Sequence, residues 1–140
     1  MLGVMASVAD AAARLFELTG DTAMRDRAIT IDRQLTSMPS PPLVSLRRLA
    51  RLHESAGDPA AALDAWRALL ARLDPQAPAW LEARFQSLRL LAPIDPAAAR
   101  EALAQLKVLM PDMGGPDWAP RFRSLEEGLP PPPALTGGAP

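Results

Sequence analysis

Three dipeptides recur along this chain at one fixed interval. Gly20-Asp21, Gly57-Asp58 and Ile94-Asp95 follow one another at intervals of 37 residues (20, 57, 94). The run Asp-Pro-Ala-Ala-Ala opens at Asp58 and again at Asp95. Asp followed by Pro marks a helix start, because the carboxylate accepts from orphaned N–H groups and Pro already has the φ of a first helical residue. Gly20 and Gly57 suit the end of the preceding helix, where the chain turns through a left-handed residue. The same interval aligns Ile29 with Trp66 and Leu103, Ala28 with Ala65 and Ala102, and Phe16 with His53 and Leu90. These columns are mostly apolar, as a buried stripe requires. In the middle unit Leu46, Leu49, Ala50 and His53 follow the spacing of one helix face, and so do Ala62, Ala65, Trp66, Leu69, Leu70 and Leu73.

Each unit therefore reads as a helix, a tight turn and a second helix. The pattern predicts helices over about 3–19 and 22–37, 43–56 and 59–73, and 79–92 and 96–109. Breaks fall at Pro39-Ser40-Pro41-Pro42, at Asp74-Pro75-Gln76-Ala77-Pro78 and between Pro111 and Pro116. A seventh helix is expected over about 117–127. The chain divides into units at 3–38, 43–75 and 79–111, a cap at 117–128, and a Pro- and Gly-rich tail at 129–140 expected to be disordered or polyproline-like. The expected fold class is all-α.

The middle unit resembles a tetratricopeptide (TPR) repeat, a helix–turn–helix unit of about 34 residues. The matching residues are Leu49-Ala50, Gly57-Asp58, Ala62, Trp66 and Asp74-Pro75. The third unit shares Trp80, Ala83, Phe85, Asp95, Ala99, Leu103 and Pro111, and the first shares Ala13, Phe16, Gly20-Asp21 and Ile29. The resemblance covers residues 3–111. It departs from the family in its longer period and in having no Tyr. An unrelated α-solenoid or a plain helical bundle accommodates the same pattern. What the resemblance implies is a TPR-like α-solenoid of three units with a C-terminal capping helix, whose first helices line a concave groove that binds a protein or peptide partner.

Composition excludes several chemistries. The chain carries 15 basic and 16 acidic residues, a net charge of −1, which argues against a nucleic-acid partner held by overall basic charge. It has no Cys, so disulfides, thiolate metal sites and a cysteine nucleophile are impossible. Lys107 is the only Lys, and with the heavy use of Ala and Pro this points to a GC-rich bacterial genome. No apolar run approaches the ~20 residues of a membrane span. The start, MLGVMASVADA, lacks a basic n-region and is a poor signal peptide, which favours the cytoplasm. No nucleophile–base motif and no phosphate-binding Gly-rich loop is present, so neither an enzyme nor a cofactor is expected.

The polar candidates are few. His53 is the only His and lies in the apolar column with Phe16 and Leu90, where a structural role is expected and a metal role is not. Trp66, Trp80 and Trp118 are expected in cores and at helix junctions. The sharper pattern is in arginine. Arg47, Arg84 and Arg121 share the 37-residue interval on first-helix positions, and Arg14 and Arg51 form a second pair at the same interval. By the resemblance these five would line the groove as a basic ladder able to fork onto the carboxylates of an acidic peptide. Against this stands the commoner role of such columns, a solvated face paired locally with Asp10, Glu17, Glu54 or Glu82. The chain also lacks the Asn that peptide-clamping TPR proteins place in the groove.

The two ends differ. The last helix offers Arg121, Arg123, Glu126 and Glu127, as a solvent-facing cap should. The first helix brings Leu2, Val4, Met5, Val8 and Leu15, with no charge before Asp10. An apolar edge at Leu2, Met5, Val8 and Leu15 is expected to dock against an upstream domain or a second copy of the chain. The functional expectation is a protein–protein interaction scaffold, the C-terminal part of a larger protein. The alternative is a structural subunit that assembles through the N-terminal edge.

Overall fold

The computed structural model of the protein describes residues 2–131, and of Leu2 only the backbone. The described residues form helices and connecting turns, with no strand. Seven helices follow one another: α1 (Leu2–Thr19), α2 (Thr22–Thr36), α3 (Leu43–Ser55), α4 (Pro59–Leu70), α5 (Pro78–Ile94), α6 (Pro96–Leu109) and α7 (Ala119–Gly128). The expected all-α class holds.

The local causes are those the recurrence marked. The side chain of Asp21 accepts from the N–H groups of Ala23 and Met24, that of Asp58 from Ala61 and that of Asp95 from Ala98. Each carboxylate thus satisfies donors at the start of the second helix of its pair. Gly20 and Gly57 turn the chain at φ +72° and +77°, a region an L side chain enters only at a cost. The third pair has no such glycine. There α5 runs through Pro93 to Ile94, two residues past the expected end, because the Asp95 N–H still reaches the Leu91 carbonyl at 2.7 Å and closes the turn over the proline. In the opposite sense, α4 ends at Leu70, short of the expected Leu73. Its last turn tightens into three-residue bonds, Arg72 N–H to Leu69 and Leu73 N–H to Leu70, ahead of the Asp74-Pro75 break. Helix α7 starts at Ala119, two residues later than expected: Trp118 is its N-cap, and the turn before it closes through the Trp118 and Ala119 N–H groups on the Gly115 carbonyl, after positive φ at Met113, Gly114 and Gly115. The buried side chain of Met113 accompanies its φ of 52°.

The chain forms two compact units, Met1–Ser87 and Leu88–Pro140, with the division inside α5. In the first unit α1 packs on α2, α2 on α3 and α3 on α4, and α1 also touches α3. Ala12, Ala13, Ala28 and Leu52 form one cluster there, with Phe16 and Ile29 against it. Small residues on α1 and α2 let those helices approach closely. In the second unit α6 packs on α7. Phe122 and Leu106 are buried, the Trp118 and Phe122 rings lie 6.3 Å apart, and Lys107 pairs with Glu126 at 2.5 Å. The tail expected from residue 129 is described only as far as Pro131, where Arg100 donates to the Pro130 carbonyl. Residues 132–140 lie outside the described residues.

Burial follows the 37-residue interval. Ala9, Leu46 and Ala83 are all buried, and so are Ala13, Ala50 and Ser87. Asp32, Leu69 and Leu106 form a third buried column, in which the acid is the exception.

Candidate functional site: a groove between α1 and α3

Contact between α1 and α3 leaves a hollow of about 620 Å³ on the first unit. Its α1 wall includes Asp10, Arg14, Phe16, Glu17 and Leu18, and its α3 wall Val44, Arg47, Arg48, Arg51 and Leu52. Leu18 and Val44 are 84% and 70% exposed, large apolar side chains beside forked cationic donors.

Each arginine is held differently. Arg14 pairs with Asp10 one turn away at 2.9 Å, on the open surface. Arg47 donates through Nε and Nη2 to both oxygens of Glu82, on the first part of α5, at 2.6 and 3.1 Å. Those hydrogen bonds hold the Arg47 guanidinium above its ordinary range and the Glu82 carboxyl below the usual carboxylate range. Arg51 reaches the same carboxylate only at 3.8 Å, so its fork is the more available of the two. Arg48 turns inward and donates to Asp32 at 2.7 Å through both Nε and Nη2, while Nη1 lies 3.7 Å from Asp10. The hydrogen bonds to Asp32 raise the Arg48 pKa, against the opposing effect of burial.

Of the five arginines expected in the groove, the hollow brings together Arg14, Arg47 and Arg51. Arg84 does not line it. Its Nε is buried without a hydrogen-bond partner, and burial together with the nearby positive charge of Arg67 lowers its pKa. Arg121 belongs to the second unit, where its guanidinium sits 4.7 Å over the Trp118 ring. The local pairing anticipated for Arg14 and Arg47 is present, with Asp10 and Glu82 as the acids. Sequence reasoning missed Arg48 and Asp32. The signal was available: Asp32 stands four residues after Ala28 and three before Leu35, on the buried stripe of α2.

His53 lies outside the groove, beside a second hollow of about 430 Å³ that Arg33 and Asp58 also line. Burial lowers its pKa, Asp58 opposes the shift and Arg33 adds to it. On the N-terminal edge Met5 and Val8 are half-buried and Leu15 is exposed, while the Leu2 side chain lies outside the described residues. A shallow hollow of about 510 Å³ there is lined by Gly3, Val4, Ser7, Val8 and Ala11.

Among the described residues no group of three or more His, Asp or Glu side chains is placed to hold a metal ion, and no helix is long and apolar enough to cross a membrane. No known protein family, curated protein or solved structure matches the chain.

Proposed function

We propose that this protein is a helical-repeat interaction scaffold of the TPR type, which binds an acidic peptide or protein segment in the groove between α1 and α3. The observation that carries this reading is the hollow that gathers Arg14, Arg47 and Arg51 around the exposed Leu18 and Val44. Guanidinium forks give directional recognition of carboxylates, and the apolar pair offers area whose burial drives association. The repeat nature is supported by the three Asp-capped second helices and by burial columns that recur every 37 residues. Neither the groove nor its charge pairs imply a catalytic step, and the proposed role requires no cofactor.

The groove is charge-matched at rest. Arg14 has Asp10, Arg47 has Glu82 and Arg48 has Asp32. A partner carboxylate therefore binds Arg51 first and gains the others by exchange. Titrating a fluorescent acidic peptide into the wild type and an Arg14→Ala/Arg51→Ala variant tests this. A loss of about tenfold in affinity is expected for removal of two charge-assisted contacts; equal affinities would remove the groove from the account.

The second reading, a structural subunit assembled through the N-terminal edge, is favoured by the exposed Val4 and the shallow hollow around it. It predicts a self-associating chain whose mass falls when Val4 is made polar.

A further inference from the structure

Arg84 is the arginine of the 37-residue column that has a cation, not an acid, beside it. Arg47 closes on Glu82, 35 residues further along the chain. One interval later those two positions are held by Arg84 and Ala119, so the column keeps the arginine and loses the acid.

Arg84 leaves α5 on its buried side: Trp80 and Ala83 before it and Ser87 after it are all buried. Its Nε is sealed from solvent without a hydrogen-bond partner. The residue as a whole is half-buried, and the outer edge of the fork, Nη1 and Nη2, is not sealed in the same way. The charge beside it is Arg67 of α4, and burial together with that repulsion lowers the Arg84 pKa. Helices α4 and α5 contain only two acids, and both are engaged elsewhere. Asp64 lines the hollow beside His53, and Glu82 closes on Arg47. Among the described residues neither Arg67 nor Arg84 pairs with a carboxylate.

A cation that gives up water and gains no acceptor is unfavourably placed, and a second cation beside it adds repulsion. Buried polar groups are normally satisfied, so an exception of this kind points to an ion that completes the site. One ligand chemistry offsets both costs. The oxygens of a phosphate accept from the open edge of the Arg84 fork and from the Arg67 fork, and its charge balances the two cations.

We infer that Arg84 and Arg67 form an anion site of the phosphate class, which takes inorganic phosphate or the phosphoryl group of a small phosphomonoester. Such a group carries about −1.5 to −2 charge at neutral pH, which suits a pair of guanidinium groups better than a single carboxylate does. The site is separate from the groove between α1 and α3 and does not depend on the acidic-peptide reading.

The test is isothermal titration calorimetry on the whole chain with sodium phosphate, phenyl phosphate and sodium acetate, all at matched ionic strength in sodium chloride. Phosphate is expected to bind saturably and acetate at least about tenfold more weakly. Arg84→Met and Arg67→Gln are each expected to weaken phosphate by about tenfold or more. Arg67 is exposed, so Arg67→Gln keeps the test decisive where Arg84→Met disturbs folding. Arg27→Gln, which removes an exposed arginine of α2, is expected to leave phosphate binding unchanged. Binding of phenyl phosphate as well as phosphate assigns the site to ligands that carry the group, and exclusion of phenyl phosphate assigns it to the free ion; both outcomes uphold the site. No saturable binding of phosphate, or equal binding of phosphate and acetate, overturns it. Phosphate binding that survives both Arg84→Met and Arg67→Gln overturns it too, and none of these failures touches the groove.

Discussion

Arg48 on α3 closes on Asp32 of α2 with both prongs, Nε and Nη2 each 2.7 Å from a carboxylate oxygen, and the Asp32 side chain is wholly buried. The pair links α2 to α3. Its energetic sign depends on what is removed. Two charges taken from water regain little net energy by meeting, but one left alone is costly. Asp32→Ala or Arg48→Ala is expected to lose about 3–5 kcal/mol in urea unfolding.

Replacing both should not. Asp32 shares its column with the buried Leu69 and Leu106, so the site has the position of a leucine. The double variant Asp32→Leu/Arg48→Met is expected to lie within about 1–2 kcal/mol of the wild type. A double variant as unstable as the singles would mean that the pair holds the α2–α3 packing in a way apolar side chains do not replace.

Helix starts and the α1–α2 and α3–α4 pairs were legible because Asp, Pro and Gly act locally: a cap or a left-handed turn needs only its neighbours. Asp32 was not, because charge is read as solvent-facing, and only the position of Asp32 between Ala28 and Leu35 on one face argued otherwise. Arg48 stands beside Arg47 in the chain, and nothing short-range says that one turns to Glu82 and the other inward to Asp32. The ends of α4 and α7 shifted because the turns that close there, Arg72 N–H to Leu69 and Ala119 N–H to Gly115, have no residue signature of their own.

The caps make a graded prediction. Asp58 accepts from the Ala61 N–H at 3.1 Å at the start of α4. Asp58→Ala is expected to cost about 0.5–2 kcal/mol in urea unfolding and Asp58→Ser much less, since Ser supplies the same acceptor. Equal losses for Ala and Ser would show that the cap is not what Asp58 contributes.

His53 predicts the direction of a pH dependence. Burial lowers its pKa in the folded protein, so the unfolded chain binds the proton more readily. Its contribution to stability is complete above the ordinary His value of about 6.5 and declines as pH falls through that value, levelling off below the lowered folded pKa. Urea midpoints should therefore drop between pH 7.5 and 5.5 in the wild type, by more than in His53→Leu, whose side chain matches Leu90 in the same column. A parallel drop in both would assign the effect elsewhere.

Glu82 should set the affinity of the groove. Its carboxylate occupies the fork of Arg47 that a partner carboxylate would otherwise meet. Glu82→Gln is expected to tighten acidic-peptide binding by about three- to tenfold and to leave the binding of its amidated, uncharged counterpart unchanged. Weaker binding of the acidic peptide would mean that Glu82 holds Arg47 in its binding geometry.

Amide chemical-shift mapping during titration with an acidic peptide tests whether partners meet the groove between α1 and α3. The predicted result is saturable change concentrated at Arg14, Leu18, Val44, Arg47 and Arg51, with α6 and α7 unmoved. Saturable binding that shifts residues of α6 or α7 and leaves Leu18, Val44 and Arg51 in place would contradict it.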